Sequence, residues 1–536
     1  MVVDARPDVA TVKDGREPGS WPARLPYALL GLLFAGLAWF VATQYWRHGR
    51  TYDEYMQDDY GKLTLQWYLS GGHDKSFLNM GDNIHMPEHG PAYEAFVALF
   101  QHWSGETWHT RSLVNGVVGV LGILVIALCG KEIAGSWGAL TAAVGLTLYP
   151  RYLGAIFTNS KDVPFTVLMM LALWLTLRLM RRWERPRRVE IGEYFLLGGV
   201  IGAAAAVRVN GLAFFALLGL VALGYLVIVF RRRGVRALGP EIVRFLGAGL
   251  VVAAACYLVM SLLWPYLMVY PGTGLMNSIK MMAAYDWDNS IMFGGEMVRA
   301  KALPLSYVPT WLVIGSPLPV VAFTVVSPLV ALWLLSRRVR VPGQYLLIAL
   351  YSLIPLALIM YAHATLYNGI RQFLYVVPGF ILLATAVLVG AVRALRASGR
   401  TAIAWGLVGL ALVGQAEVVV STAKIYPFEY AYFSPLAGGF AQARHEYEAD
   451  YWGQCASTAA SWLNDHYRGY HPDNPTFQDE VAWNSLTEPY LPGMQSVGDG
   501  QPIFLLTTSP APDGYREIHA VMVEGEPLCR VSLRQY

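Results

Sequence analysis

The first acidic residues after the first apolar run are the strongest candidates for chemistry. The stretch TYDEYMQDDYGK places Asp53 and Glu54 a few residues beyond that run, at the depth of a membrane surface. A helix over 53–61 would align Asp53, Gln57 and Tyr60 on one face. A carboxylate held there could act as a general base toward an acceptor hydroxyl and contribute roughly 100- to 10,000-fold to the rate. The alternative is a solvated acidic helix beside the membrane, with no catalytic role.

Two histidines follow in the same loop, in the stretch HMPEHGPAYEAF at 85–96. His85, Glu88 and His89 could ligate a metal ion, but Pro87 between the histidines disfavours the helical spacing of a zinc site. The other interpretations are hydrogen bonding to a substrate and burial in a turn. We therefore treat His85 and His89 as candidate substrate-binding residues and assign no metal ligands.

Three cations lie at the ends of apolar runs from different parts of the chain. Lys161 precedes a run in PRYLGAIFTNSKDVPF, Arg208 interrupts one in VRVNG, and Arg371 begins one in YNGIRQF. Cations that converge at one membrane level suit a lipid-linked phosphate or diphosphate. Each cation alone is also typical of a side chain that reaches the interface from a helix end. Asp162, two residues before Pro164, fits a helix N-cap as well as a substrate-binding carboxylate.

Apolar helices must position these side chains. Of the 536 residues, 55% are hydrophobic and only 14% are charged, whereas about one quarter of a soluble domain is charged. The composition predicts an all-α polytopic membrane protein with about eleven transmembrane helices, since roughly 20 apolar residues cross a bilayer. The predicted runs are 25–46, 111–130, 135–150, 163–180, 193–208, 211–230, 244–263, 309–335, 343–361, 373–393 and 403–421.

Arginine clusters in short loops predict the orientation, because such loops face the cytoplasm. They place the N-terminal tail 1–24 inside. The apolar stretch from Tyr194 to Phe230 has arginine clusters at both ends, so we expect a hairpin whose tip near Arg208 lies at the outer surface. The clusters are 178–188, 231–236, 337–340 and 393–400. The predicted outer segments are 47–110, 151–162, 264–308, 362–372 and everything after 421.

The polar remainder of the chain, 424–536, is predicted to form a small extracytoplasmic α/β domain. This leaves 25–423 as the transmembrane domain, with 47–110 as its catalytic outer loop. A disulfide between Cys455 and Cys529 is compatible with an oxidising compartment, although the pairing cannot be read from the sequence.

The predicted spans are nearly free of ionisable groups, which argues against a carrier that moves its substrate through the membrane. The candidate residues collect instead in the outer loops and at helix ends. We therefore favour a transferase acting at the outer leaflet. The alternatives are a lipid or glycan transporter or flippase, and another outer-leaflet transferase that modifies the cell envelope.

The order of these features resembles that of glycosyltransferase family 39 and the dolichyl-phosphate-mannose protein mannosyltransferase-like membrane enzymes, which share the GT-C fold. The resemblance is carried by the Asp-Glu pair after the first span, the long loop with its His/Pro turn, and the charged turn before a short span. Four further stretches are similar to bacterial members of this group: NSKDVPF, RVNG, NGIRQF and YFSPLAGGF...EADYWG.

The resemblance implies inverting transfer of a sugar from a polyprenyl-phosphate donor to a hydroxyl acceptor at the outer face of the plasma membrane, in the manner of a mannosyltransferase. It makes Asp53 the base with Glu54 as its companion, and Arg208 a cation for the donor phosphate, with Lys161 and Arg371 as further matches. The acceptor is a protein, a lipid or a polysaccharide, and membrane lipids are the other partners; no nucleic acid is expected. No cofactor is certain, and a need for a divalent metal is left open.

Overall fold

The structure is a computed structural model that describes residues 24–80, 85–105, 108–183, 190–283, 285, 287–339, 341–470, 473–481, 484–498 and 501–535. The predicted cytoplasmic tail therefore lies outside the described residues except for Arg24, and so does the end of the first arginine cluster. The helices are α1 Leu25–Gln44, α2 Tyr52–Leu69, α3 Ala92–Ser104, α4 Trp108–Thr147, α5 Pro150–Leu153, α6 Asp162–Trp183, α7 Ile191–Ala205, α8 Phe214–Arg233, α9 Leu238–Leu263, α10 Pro265–Val269, α11 Gly274–Ala283, α12 Tyr307–Ile314, α13 Leu318–Ser336, α14 Gly343–Tyr361, α15 Val377–Ala397, α16 Thr401–Ile425, α17 Gly439–Ala443, α18 Gln454–His466 and α19 Asn484–Thr487. The strands are β1 Ser290–Phe293, β2 Glu296–Arg299, β3 Thr476–Asp479, β4 Gln495–Ser496, β5 Phe504–Thr507, β6 Tyr515–Val523 and β7 Glu526–Arg534.

Within the described residues, nine helical segments are long and apolar enough to cross a membrane. The difference from the expected eleven comes from two helices. Helix α4 contains two of the predicted runs, and α7 is shorter than the other apolar helices, at 15 residues. The chain is thus a helical multi-pass membrane protein, as its composition predicts.

Helix α4 is a hairpin of two apolar halves rather than one straight rod. Its backbone leaves helical geometry at Ala134 and Gly135, where Gly135 has φ +67°. A Cβ added at Gly130 would collide with the carbonyl oxygen of Gly138, although residues eight apart in a straight helix are separated by about 12 Å. The chain therefore reverses at Gly135, and the runs predicted at 111–130 and 135–150 are separate.

Helices α4, α6 and α15 form the centre of the membrane part. In their most apolar windows 56%, 72% and 67% of the residues are buried, compared with 6% in α13. Small residues permit close packing elsewhere: Gly198 and Gly202 of α7 lie against the α9 backbone at Val252 and Cys256, where a Cβ would not fit. Because these helices are closely packed, the positions of their ends are fixed.

The C-terminal part contains a five-stranded mixed sheet with strand order β4-β3-β5-β7-β6. Strand β3 pairs in parallel with β4 and β5, whereas β7 pairs antiparallel with β5 and β6. Helix α18 packs on this sheet, and a disulfide joins Cys455 of α18 to Cys529 of β7. The small α/β fold predicted for this region and the Cys455–Cys529 pairing are both present.

The loops between the spans bring helix ends together on one side of the bundle. Helices α2 and α3 pack tightly there, because Gly61 leaves no room for a Cβ against the backbone of Glu94. The predicted hairpin between α7 and α8 is present, and Arg208 stands between the end of α7 and a short 3₁₀ helix at Val209–Ala213. This side carries the candidate site.

Candidate active site

Asp53 lies in the first turn of α2, and the way that helix begins fixes its position. Thr51 is the N-cap, and Glu54 completes a capping box by accepting hydrogen bonds from the Thr51 backbone N–H at 3.1 Å and its hydroxyl at 3.2 Å. Asp53 Oδ2 lies 2.9 Å from Nη2 of Arg371. The Asp53 side chain is 38% exposed and that of Arg371 only 7%, so the carboxylate is the member of the pair that a substrate can reach.

Arg371 is held from several directions. Its guanidinium lies 5.0 Å from the ring centroid of Tyr367 and 4.3 Å from that of Trp452, so aromatic rings support it in addition to Asp53. The turn before it contains Asn368 and Gly369, both with positive φ, at 59° and 66°. Asparagine and glycine are the residues that tolerate this backbone geometry. The turn and the rings together fix the guanidinium beside α2.

The start of α6 supplies a second ion pair. Asp162 pairs with Arg208. Asn159 Oδ1 accepts hydrogen bonds from the backbone N–H groups of Asp162 at 2.8 Å and Lys161 at 3.2 Å. The interpretation of Asp162 as the N-cap is therefore wrong, because Asn159 performs that role and leaves the Asp162 carboxylate for Arg208.

Lys161 is the cation in this group without a direct counter-charge. In the part of the chain that the structure describes, its ammonium makes no ion pair within 4 Å. Burial lowers the pKa of Lys161 to about 8, and the positive charge of Arg208 acts in the same direction. Asp53, Glu94 and Asp162 oppose this shift from a greater distance. A bound anion would therefore stabilise the charged form of Lys161.

A narrow cleft lies between these groups. Several hydrogen-bond donors around it are buried and have no acceptor among the described residues. A buried donor without an acceptor costs roughly 1–3 kcal/mol, so the arrangement suits a ligand rich in acceptor oxygens. The unpaired donors are Arg208 Nε, Arg371 Nε, Thr158 Oγ1 and Trp452 Nε1.

A second charged cluster lies behind the first turn of α2 and is buried except for Asp58, whose side chain is 12% exposed. Arg111 Nη2 lies 2.6 Å from Glu94 Oε2 and donates to Ser160 Oγ at 2.6 Å, and Ser160 donates to Glu94 Oε1 at 2.6 Å. Glu54 and Asp58 add carboxylates at 3.5 Å and 3.9 Å from the same guanidinium. Burial raises the pKa of Glu54 to about 8, although Arg111 opposes the shift. We call Arg111, Glu54, Asp58, Glu94 and Ser160 the inner cluster.

The two histidines of the first loop differ in environment. His85 is exposed. His89 is partly covered, and burial lowers its pKa well below the usual range, with Lys161 and Arg208 acting in the same direction. His89 is therefore neutral near pH 7 and suited to hydrogen bonding. Glu88 Oε1 accepts a long hydrogen bond, 3.4 Å, from the hydroxyl of Tyr266.

No metal site forms around these histidines in the described residues. There, the one group of three potential ligand side chains is Asp450, Cys455 and Cys529. Its two cysteines are joined to each other as a disulfide. The metal interpretation of His85, Glu88 and His89 thus gains no support from geometry.

The structure brings most of the predicted site residues together. Asp53, Lys161, Asp162 and Arg208 line the cleft, and Arg371 pairs with Asp53 at its edge. Glu54 also borders the cleft, but its hydrogen bonds and ion pair belong to the capping box and the inner cluster. Chemically, the arrangement offers one accessible carboxylate beside an anion-binding surface.

Sequence reasoning missed Thr158, Trp452 and the inner cluster. Thr158 belongs to the stretch PRYLGAIFTNSKDVPF, and Trp452 to the stretch EADYWG. Both stretches were chosen for their order in the chain, and neither a threonine nor a tryptophan by itself indicates a position in a cleft. Arg111 and Glu94 stand at the borders of apolar or amphipathic helices. An ionisable residue that must be buried at such a border is a signal from which the sequence analysis could have found them.

Several solved structures are similar to the whole chain at low identity. ArnT from Cupriavidus metallidurans bound to undecaprenyl phosphate matches with a TM-score of 0.48 and 15% identity, over 95% of this chain and 98% of that one. The Archaeoglobus fulgidus oligosaccharyltransferase in complex with Zn and sulfate matches with a TM-score of 0.44 and 14% identity, over 84% of this chain and 58% of that one. The same oligosaccharyltransferase tethered to an acceptor peptide gives 0.45 and 14%, over 88% and 64%.

A comparison with curated proteins finds no match. The sequence model of the family described as dolichyl-phosphate-mannose-protein mannosyltransferase matches residues 88–260, about a third of the chain. The matched segment includes Glu94, Arg111, Lys161, Asp162 and Arg208, which belong to both charged clusters. The resemblance to the dolichyl-phosphate-mannose protein mannosyltransferases is thereby confirmed over this segment.

Proposed function

We propose that this chain is an inverting glycosyltransferase that moves a sugar from a polyprenyl-phosphate donor to a hydroxyl acceptor at the outer face of the plasma membrane. The observation that carries the proposal is the set of unpaired donors around the cleft, with Lys161 lacking a counter-charge beside them. A phosphate has only acceptor oxygens and a negative charge, so it would satisfy these groups together. The match to the mannosyltransferase family makes mannose the first sugar to test.

The reaction is a single displacement at the anomeric carbon. The acceptor oxygen bonds to that carbon while the bond from carbon to the phosphate oxygen breaks, and the polyprenyl phosphate leaves with the bonding electrons. Asp53 takes the proton of the acceptor hydroxyl. Lys161, Arg208 and Arg371 stabilise the charge that develops on the leaving phosphate, so no general acid is required.

The ion pairs of the cleft prepare this step. Arg371 holds the Asp53 carboxylate at 2.9 Å, which limits the orientations open to it before an acceptor arrives. Asp162 holds Arg208 in the same way from the other wall. Holding a base in position before the reaction is a large part of what enzymes contribute to rate.

The outer-face assignment rests on the arginine loops and on the disulfide between Cys455 and Cys529, since such bonds persist in oxidising compartments. Reporter fusions test it. Reporters placed after Phe428 or within 264–308 should behave as extracytoplasmic, and reporters within 181–188 or 337–340 as cytoplasmic. A cytoplasmic C-terminal domain would remove the basis of an outer-leaflet reaction.

The function itself is tested with purified protein and lipid-linked sugars extracted from membranes, by mass spectrometry of the polyprenyl phosphate released and the glycan formed. Asp53→Asn keeps the size of the side chain but cannot accept the proton, so it should reduce turnover by roughly 100- to 10,000-fold without loss of folded protein. Asp59→Asn, in the same acidic run, is the matched control for lost negative charge. Turnover above about a tenth of wild type in Asp53→Asn would remove Asp53 as the base.

A further inference from the structure

The segment 448–455 of the C-terminal part contacts the cleft from outside the membrane helices. Trp452 is its central residue: the ring lies over the guanidinium of Arg371 at 4.3 Å, and the backbone carbonyl accepts the N–H of Tyr52 at 3.2 Å. Tyr52 immediately precedes Asp53. One residue therefore contacts Arg371 and the residue next to Asp53, and it is only 2% exposed.

The same segment holds the turn that leads to Arg371. Glu448 Oε2 accepts the backbone N–H of Asn368 at 3.2 Å. Asn368 and the following Gly369 have positive φ, and the N–H of Gly369 donates to the hydroxyl of Tyr307 at 3.2 Å. Hydrogen bonds at both residues of the turn fix a backbone shape that few sequences hold unaided.

The segment is itself anchored. Asp450 accepts the backbone N–H groups of Gln454 at 3.2 Å and Cys455 at 2.8 Å, and it accepts the hydroxyl of Tyr430. These bonds fix the chain where α18 begins. Cys455 is joined by a disulfide to Cys529 on β7. The position of Trp452 is thus tied to the C-terminal sheet.

We propose that Trp452 is a positioning residue for the transfer reaction, and that the C-terminal part completes the active site by pressing this ring onto Arg371 and thereby fixing Asp53. The proposal rests on the proposed function. It assigns the C-terminal part a direct contribution to the geometry of catalysis rather than a separate role outside the membrane. Trp452 acts through Arg371 and takes no part in proton transfer.

The test compares Trp452→Leu with Trp452→Phe in the full-length purified protein, with the donor lipids used to test the function. Leucine removes the aromatic face, so kcat should fall roughly 10- to 100-fold. Both variants also lose the unpaired Nε1 donor of the cleft, so any change in the donor KM should be the same in both, and small, because Lys161 and Arg208 still bind the phosphate. Phenylalanine restores an aromatic face and should recover most of the lost kcat. Trp462→Leu is the matched control, because Trp462 stacks on His519 and His466 in the C-terminal part.

The result is read per folded molecule, from the monodisperse fraction of each purified protein in size-exclusion chromatography. Equal kcat in wild type and Trp452→Leu would overturn the proposal, as would equal losses in Trp452→Leu and Trp462→Leu. Wild type separates the two claims. If wild type forms no product from the lipid-linked sugars, the proposed function fails; if wild type is active and Trp452→Leu has the same kcat, the positioning role alone fails.

Discussion

Two charged clusters meet at the first turn of α2, and consecutive residues belong to each. Glu54 is 1% exposed and joins the inner cluster, whereas Asp53 is 38% exposed and faces Arg371 at the cleft. The inner cluster surrounds one arginine with three carboxylates. The cleft has three cations, two paired with carboxylates and one unpaired.

The difference shows how charge balance separates structure from function. A buried arginine surrounded by carboxylates has its charge balanced, even though Nε and Nη1 of Arg111 have no hydrogen-bond acceptor among the described residues. Its removal leaves buried carboxylates without their main partner. A surface with an excess of cations and unpaired donors remains incomplete until an anion binds. We therefore expect substitutions in the inner cluster to change stability, and substitutions in the cleft to change donor use.

The largest effect is expected for Glu94→Gln in the inner cluster. It removes the carboxylate closest to Arg111, at 2.6 Å, and leaves a buried cation poorly compensated. The free energy of unfolding should fall by about 3–5 kcal/mol, measured by reversible unfolding in mixed micelles. Glu296→Gln, at an exposed position of β2, is the control. A loss as small as that of the control would mean that the inner cluster is not structural.

Next in size is Arg208→Ala in the cleft. It removes a charge-assisted contact worth about 1.5–3 kcal/mol, so the donor KM should rise roughly 10- to 100-fold. Arg208→Lys should recover only part of this, because a point charge replaces a planar fork. Normal donor saturation in well-folded Arg208→Ala would contradict the assignment of Arg208 to the donor phosphate.

A smaller effect concerns pH. Because burial lowers the pKa of Lys161 to about 8, the ammonium loses its proton as the pH rises through that value. Affinity for the polyprenyl phosphate should then fall. Lys161→Arg keeps the charge at every accessible pH and should flatten this dependence, as seen in binding titrations between about pH 7 and pH 9. An unchanged pH profile in Lys161→Arg would show that another group titrates.

A further prediction concerns the pH dependence that Glu54 gives to stability. Burial raises its pKa from 4.5 to about 8, so folding favours the protonated form. That contribution to stability is fully present below about pH 4.5 and is lost as the pH rises through about 8. Glu54→Gln mimics the neutral form, so its stability relative to wild type should increase over this range. A constant difference between the two proteins would refute a raised pKa.

The helices could be predicted from the sequence because each apolar run is a local feature and because a lipid environment requires apolar helices. It also placed Lys161, Arg208 and Arg371 at one level, since each stands at the end of such a run. The pairing of Asp53 with Arg371 could not be predicted, because the sequence around each residue carries no information about a partner so distant in the chain. The inner cluster and Trp452 were missed for the same reason.

Binding of a polyprenyl phosphate tests the central claim most directly, because it asks whether the cleft recognises the donor phosphate. Purified wild type is compared by titration with Lys161→Gln/Arg208→Gln and with Lys424→Gln/Arg244→Gln, which removes two cations paired with acids outside the cleft. We expect the cleft variant to lose at least about tenfold in affinity and the control to bind like wild type. Equal affinity in all three proteins would contradict the account.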